Sequence, residues 1–311
     1  MRRSGKMRIS AVILTAAMTM AMPGTAALAQ SQEASSVITI NEDEVPLSAR
    51  VPDASGAVTF SGGGATIDAS NTSNGYLMVK YGGGSQRIKV QITKNTTYTY
   101  DLNARNSYEV YPITEGNGTY SVKVFENVSG NQYAQLMSQT ISVSLTNEFA
   151  PFLYPNQYVN FNSASQAVAV AAQLAAGKDQ LGIVKAVYDY VIGHVTYDYG
   201  KAQTVQSGYL PNVDSTLASG TGICFDYAAL MTSMLRSQDI PTKLVIGYTG
   251  NLYHAWVSVY IDGEGWIDNV IHFDGQKWSY MDPTFMSTGG SSESAKQYVG
   301  NGSNYQEKYS Y

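Results

Sequence analysis

The stretch GTGICFDYAAL, residues 220–230, decides how this chain is read, because it holds Cys224, the only cysteine among 311 residues. Gly220, Thr221 and Gly222 form a turn, and the run that follows, CFDYAALMTSMLRSQ, is apolar nearly all round at helical spacing. That pattern predicts a buried helix, stopped by Pro241, with the thiol in its first turn. Unpaired N–H groups and the helix dipole at that end favour an anion, and therefore the nucleophilic thiolate. On residue type alone, the other reading is a small buried hydrophobe.

Downstream, TKLVIGYT, YHAWVSVYID and QKWSYMD read as strands of one sheet. His254 stands at the entrance of the second strand, with Trp256 after it, on a sheet that must pack against the Cys224 helix because that helix has no polar face. From the mouth of a strand a histidine reaches a helix N-terminus without being buried. Asp282 ends the third strand immediately before Pro283, which cannot continue a ladder. An aspartate there can accept a hydrogen bond from an imidazole and fix its tautomer. Alone, Asp-Pro is a turn; with Cys224 and His254 it completes a nucleophile, a base and an orienting acid. His194, between a helix end and VTYDY, and His272, near Asp268 and Asp274, read as surface or capping residues.

The chain resembles the transglutaminase-like superfamily, whose core carries Gly-x-Cys at a helix start, a His-Ala-Trp strand and a Trp-x-x-x-Asp-Pro-Thr strand. The corresponding stretches are GICFDYAALMTSMLRSQDIPTKLVIGY, YHAWVSVYI and WSYMDPTF, and the resemblance covers about residues 150 to 290. It implies that Cys224, His254 and Asp282 occupy the catalytic positions, on a papain-like α+β fold. Two departures stand out. GEGWIDNVIHFDGQ replaces the family's tight turn between the His and Asp strands, with Asp274-Gly275 suited to a hairpin turn and the insertion placed to form a flap over the thiol. No side-chain oxyanion donor is identifiable by pattern.

Upstream of this core the rhythm differs. GYLMVKYG (75–82), QRIKVQIT (86–93), NTTYTYDL (95–102) and GTYSVKVFENV (118–128) alternate apolar and polar residues between Gly-rich turns. They predict an antiparallel β-sandwich of immunoglobulin or fibronectin type. SASQAVAVAAQLAAGK and LGIVKAVYDYVIGHV then predict two helices, and a long polar loop precedes Cys224. The fold class expected is α+β, with a signal peptide over 1–29, the sandwich over 30–147 and the transglutaminase-like domain over 148–311.

The signal peptide follows from Arg2, Arg3, Lys6 and Arg8, an apolar run of about 14 residues, and Ala27-Leu28-Ala29. That run is short of the roughly 20 residues a membrane span needs. A secreted, extracellular protein without a transmembrane anchor is the expectation, with residues 30–36 as a polar leader. The net charge of −5 argues against nucleic acid as partner. One Cys and three His exclude a cysteine-rich zinc site and speak against a histidine-rich one, so the reading involves no metal or cofactor. The 24 tyrosines suit half-buried strands, and carry no spacing that marks a glycan-binding face.

The functional reading is a secreted thiol enzyme acting on protein or peptide amides, with a cell-wall or cell-surface peptide as one possible substrate. A thioester on Cys224 is resolved either by water, as in a peptidase or amidase, or by an amine, as in cross-linking. The alternative is a non-catalytic cell-surface binding module on the same scaffold. An adhesive protein using Cys224 for an intermolecular bridge fits less well, because a bridging thiol belongs on an exposed loop.

Overall fold

The computed structural model describes residues 49–268, the backbone of the strands at 271–273 and 278–280, and residues 304–311. The expected leader at 1–29, the polar stretch 30–36 and Asp282 lie outside the described residues.

Apart from one 3-10 turn at Thr72–Asn74, the regular elements of the N-terminal part are strands: β1 (Thr59–Gly62), β2 (Ala65–Asp68), β3 (Tyr76–Tyr81), β4 (Ile88–Thr93), β5 (Thr97–Leu102), β6 (Glu109–Pro112), β7 (Gly118–Ser129) and β8 (Gln132–Val143). They form two four-stranded antiparallel sheets, ordered β1-β2-β3-β6 and β5-β4-β7-β8. The alternation seen in the sequence is the cause. In β4, Ile88, Val90 and Ile92 are buried while Lys89, Gln91 and Thr93 are less so, and β5 buries Tyr98, Tyr100 and Leu102 in the same rhythm. All four strands quoted from the sequence are present.

Helices and a second type of sheet follow: α1 (Gln166–Ala175), α2 (Gln180–His194), β9 (Thr196–Tyr197), α3 (Tyr199–Thr204), α4 (Val213–Ser219), β10 (Thr221–Gly222) and α5 (Cys224–Arg236). The remaining strands are β11 (Thr242–Thr249), β12 (Leu252–Ile261), β13 (Gly265–Ile267), β14 (Ile271–Phe273), β15 (Trp278–Tyr280) and β16 (Tyr305–Ser310). The main sheet runs β13-β12-β11-β16, all antiparallel. The fold is thus a mixture of helices and sheets, as expected.

Three details differ from the sequence reading. The stretch read as a polar loop holds the short helices α3 and α4, each started by a side-chain cap: Asp198 Oδ1 accepts the Lys201 N–H and Asn212 Oδ1 the Ser215 N–H, both at 2.8 Å. At six and seven residues they are too short to show an apolar period. α5 ends at Arg236 rather than being stopped by Pro241, and the chain reverses at Asp239, whose φ of 56° is left-handed. β15 does not join the main sheet. It pairs with β14 in a hairpin, with Phe273 opposite Trp278, and the tip carrying Asp274-Gly275 lies outside the described residues.

α5 is buried from Asp226 to Arg236. Leu230, Met231, Met234 and Leu235 lose all their exposure, each worth about 1.5–3 kcal/mol. Leu244 and Ile246 of β11 and Ala255, Val257 and Val259 of β12 share the cluster with them, and α5 packs on those two strands.

One core runs without a break across residue 147, where the sequence suggests a domain boundary. Tyrosines make the junction. Tyr98 and Tyr100 of β5 meet Tyr309 and Tyr311 at ring-centroid distances of 5.2 to 5.9 Å, and Tyr158 lies 5.9 Å from Tyr100 and 4.5 Å from Tyr311. Gln157 Nε2 also donates to Asp101 O and Glu109 Oε1, both at 3.1 Å.

Candidate active site

Cys224 is the first residue of α5 and is half-buried. Its approach is held rigidly. β10 pairs in parallel with β9, where Thr196 N donates to Gly220 O at 2.8 Å and Asp198 N to Gly222 O at 2.9 Å. Gly222 is required for closeness: a Cβ there would sit 2.7 Å from the Asp226 Cβ. Cys224 and Phe225 lie in the first helical turn, whose N–H groups have no intrahelical acceptor.

Asp226, the third helical residue, is wholly buried and accepts the Ile223 N–H at 2.8 Å, which is half of a capping box. Two side chains from the preceding segment meet the same carboxylate. Lys201 Nζ donates to Asp226 Oδ2 at 2.6 Å and to the Tyr209 hydroxyl at 2.7 Å, and the Tyr209 hydroxyl donates to Asp226 Oδ1. Burial disfavours the Lys201 ammonium, but the hydrogen bonds to Asp226 and Tyr209 outweigh it and raise its pKa. Burial, and then the hydrogen bond to the carboxylate, raises the Tyr209 pKa. The buried charge is therefore matched where it would otherwise sit uncompensated beside Cys224.

His254 is the third residue of β12 and is only 4% exposed, so it is not the unburied residue at a strand mouth that the sequence suggests. It stands opposite Gly247 in the β11–β12 register. Its ring stacks with Trp256 at 6.3 Å and lies 6.4 Å from Tyr305 of β16. Strand alternation gives His254 and Trp256 one face of β12, while Ala255 and Val257 on the other join the core with α5. A Cβ on Gly247 would meet Gln306 O at 2.0 Å and the Trp256 ring at 2.8 Å. Only glycine lets the three strands close here.

Cys224 and His254 line the same cleft, of about 600 Å³. Its walls come from separate parts of the chain: Thr99 from β5, Tyr209 from the segment after α3, Tyr253 from β12, and Tyr309 and Tyr311 at the end of the chain. Tyr253 has its pKa raised by partial burial, with the neighbouring Tyr309, Tyr248 and Cys224 adding to it. Asp282 lies outside the described residues, as does the side chain of His272. His194 closes α2, stacks on Tyr190 at 5.0 Å and hydrogen-bonds through Nε2 to Leu217 O at 2.6 Å, which is a capping role.

Asp226, Lys201 and Tyr209 escape sequence reading. The acid three residues after Ile223 is a visible capping signal, but nothing in the local pattern announces Lys201 as its partner 25 residues earlier.

Residues 168–283 match the family model of the transglutaminase-like superfamily. This segment is a transglutaminase-like domain. The match begins in α1 and takes in α5, β11 and β12 together with both cleft residues. The UPF0252 protein MJ1282 of Methanocaldococcus jannaschii is 33% identical over 98 residues, 28% of each chain. The uncharacterised protein YebA of Bacillus subtilis is 24% identical over 216 residues, 62% of this chain and 28% of that one. The chain thus spans about a quarter of the length of these curated relatives. Among solved structures, one described as a candidate cysteine protease from Cytophaga hutchinsonii aligns over 67% of this chain and 78% of its own, at 16% identity and a TM-score of 0.31. Red sea bream transglutaminase aligns over 67% and 48%, at 12% identity and a TM-score of 0.29.

Proposed function

We propose that the protein is an exported thiol enzyme that acts on protein or peptide amides through Cys224, with His254 as base and Asp282 orienting the imidazole. The observation that supports it is the placing of the only cysteine half-exposed at the start of a buried helix, in a cleft that His254 also lines.

In this reading the Cys224 thiolate attacks the amide carbonyl carbon and a tetrahedral adduct forms. N–H groups in the first turn of α5 face the developing oxyanion. The C–N bond breaks, His254 gives its proton to the departing amine, and an acyl thioester remains on Sγ. Water or a second amine then attacks the thioester, His254 takes the proton from it, and the free thiol returns. Water makes the protein a peptidase or amidase; a lysine amine makes it a cross-linking enzyme. The two N-terminal sheets are read as the halves of a sandwich, and export follows from the basic, apolar, small-residue order of the first 29 residues.

The test is incubation with a casein mixture and a fluorescent primary amine. Label on casein identifies cross-linking and new fragments identify hydrolysis, and both vanish in Cys224→Ala. A natural substrate that is bound but never acylated, with Cys224→Ala indistinguishable from the parent, would leave only the binding-module reading.

A further inference from the structure

The cleft around Cys224 has an unusual lining. No Lys, Arg, Asp or Glu is among the described residues that form it. Lys201 and Asp226, the latter two residues after Cys224, are spent on each other at 2.6 Å. The walls are instead aromatic, with Tyr158, Tyr209, Phe225, Tyr253, Tyr309 and Tyr311. Leu252 is 57% and Tyr253 55% exposed, which leaves two large side chains open to solvent in the cleft that Cys224 lines.

We propose that the acyl donor is an uncharged peptide segment with aromatic or aliphatic residues flanking the amide, docked against Leu252 and Tyr253. This rests on the reading of Cys224 as the nucleophile. A charged flanking residue entering the cleft would give up its hydration and, apart from the Cys224–His254 pair engaged in the chemistry, find no partner of opposite charge on the described walls. An aromatic residue would lose nothing comparable, and would gain edge or stacked contacts with the tyrosine rings. A volume of about 600 Å³ is within the range of sites that enclose a ligand of several hundred daltons, here two or three residues. The Tyr253 hydroxyl, on the most exposed tyrosine of the walls, can hydrogen-bond the backbone of such a segment without imposing a charge.

Binding to the Cys224→Ala variant separates this from catalysis, because it needs no turnover. Titration calorimetry with an acetylated, amidated hexapeptide of Phe, Leu and Gln is compared with peptides carrying Asp or Lys in place of the residues flanking Gln. The apolar peptide should bind at least about tenfold more tightly than either charged one. Tyr253→Asp and Leu252→Asp should each weaken the apolar peptide by about tenfold and leave the circular dichroism spectrum unchanged. Equal or tighter binding of a charged peptide, or either of these variants binding the apolar peptide as the parent does, would overturn the proposal. Selective binding with no acylation in the parent protein would remove the enzyme reading alone. Acylation that favours charged donors would remove this one alone.

Discussion

Lys201 Nζ lies 2.6 Å from Asp226 Oδ2, in the first turn of the helix that begins at Cys224. The lysine comes from a six-residue helix that the sequence pattern does not reveal, and the carboxylate it meets is fully buried. Replacing Lys201 by Met leaves that carboxylate with Tyr209 and the Ile223 N–H as its remaining polar partners. Because Lys201 keeps about a third of its exposure, the loss should be about 1–3 kcal/mol, below that of a fully buried pair. Urea unfolding measures it. The uncompensated charge should also slow alkylation of Cys224 by iodoacetamide at pH 7, and Lys201→Arg should restore much of the rate.

Gly247→Ala tests the sheet that carries His254. A Cβ 2.0 Å from Gln306 O has to displace backbone of β16, not merely the end of a side chain. The expected loss is about 2–3 kcal/mol, read as a lower thermal midpoint. Since β16 also carries Tyr309, one wall of the cleft, peptide binding should weaken in the same variant. Gly263→Ala, at the β12–β13 turn, provides a control in which φ of 83° is strained but the added Cβ meets nothing within 4 Å.

Arg236 is the largest fully buried side chain among the described residues. It donates to Thr242 O at 2.9 Å and to Tyr154 O and Tyr311 O at 2.6 Å, tying the end of α5 to three other segments. Arg236→Met keeps the length of the stem but leaves these carbonyls short of a donor. The cost should be about 2–4 kcal/mol by urea unfolding.

Alkali should unfold the protein through its tyrosine junction. Burial first, and neighbouring phenols and carboxylates second, hold Tyr100, Tyr111, Tyr158 and Tyr311 well above the ordinary tyrosine pKa of 10. Above that value the unfolded chain releases protons that the folded one retains, so the unfolded state binds fewer and stability falls with rising pH. Below pH 10 the contribution is fully present. Ellipticity and tyrosinate absorbance followed together from pH 8 to 12.5 should change in one cooperative step. Smooth ionisation of all tyrosines with retained ellipticity would contradict it.

How much of this was legible follows from range. The strands 76–81, 88–93 and 97–102 and the helices 166–175, 180–194 and 224–236 show their period within a single element, and the sequence marks them. Cys224 and His254 stand out because each lies at or near the start of a long element of recognisable pattern. What the sequence hides depends on chain segments far apart: the Lys201–Asp226 pair, the tyrosines that join β5 to β16, and the ring contact of His254 with Tyr305 of β16, some 50 residues downstream. The tyrosine count was visible, but which tyrosines meet is a property of the packed chain.

The central claim is that Cys224 is acylated with the help of His254. Intact-mass analysis of the protein mixed with an acetylated, apolar glutamine peptide, quenched in acid within minutes, tests it most directly. The account predicts an adduct of the peptide's mass less ammonia, mapped to Cys224 and formed about 100-fold or more slowly in His254→Ala. No adduct under any donor tried, or one that forms at the parent rate without His254, would contradict it.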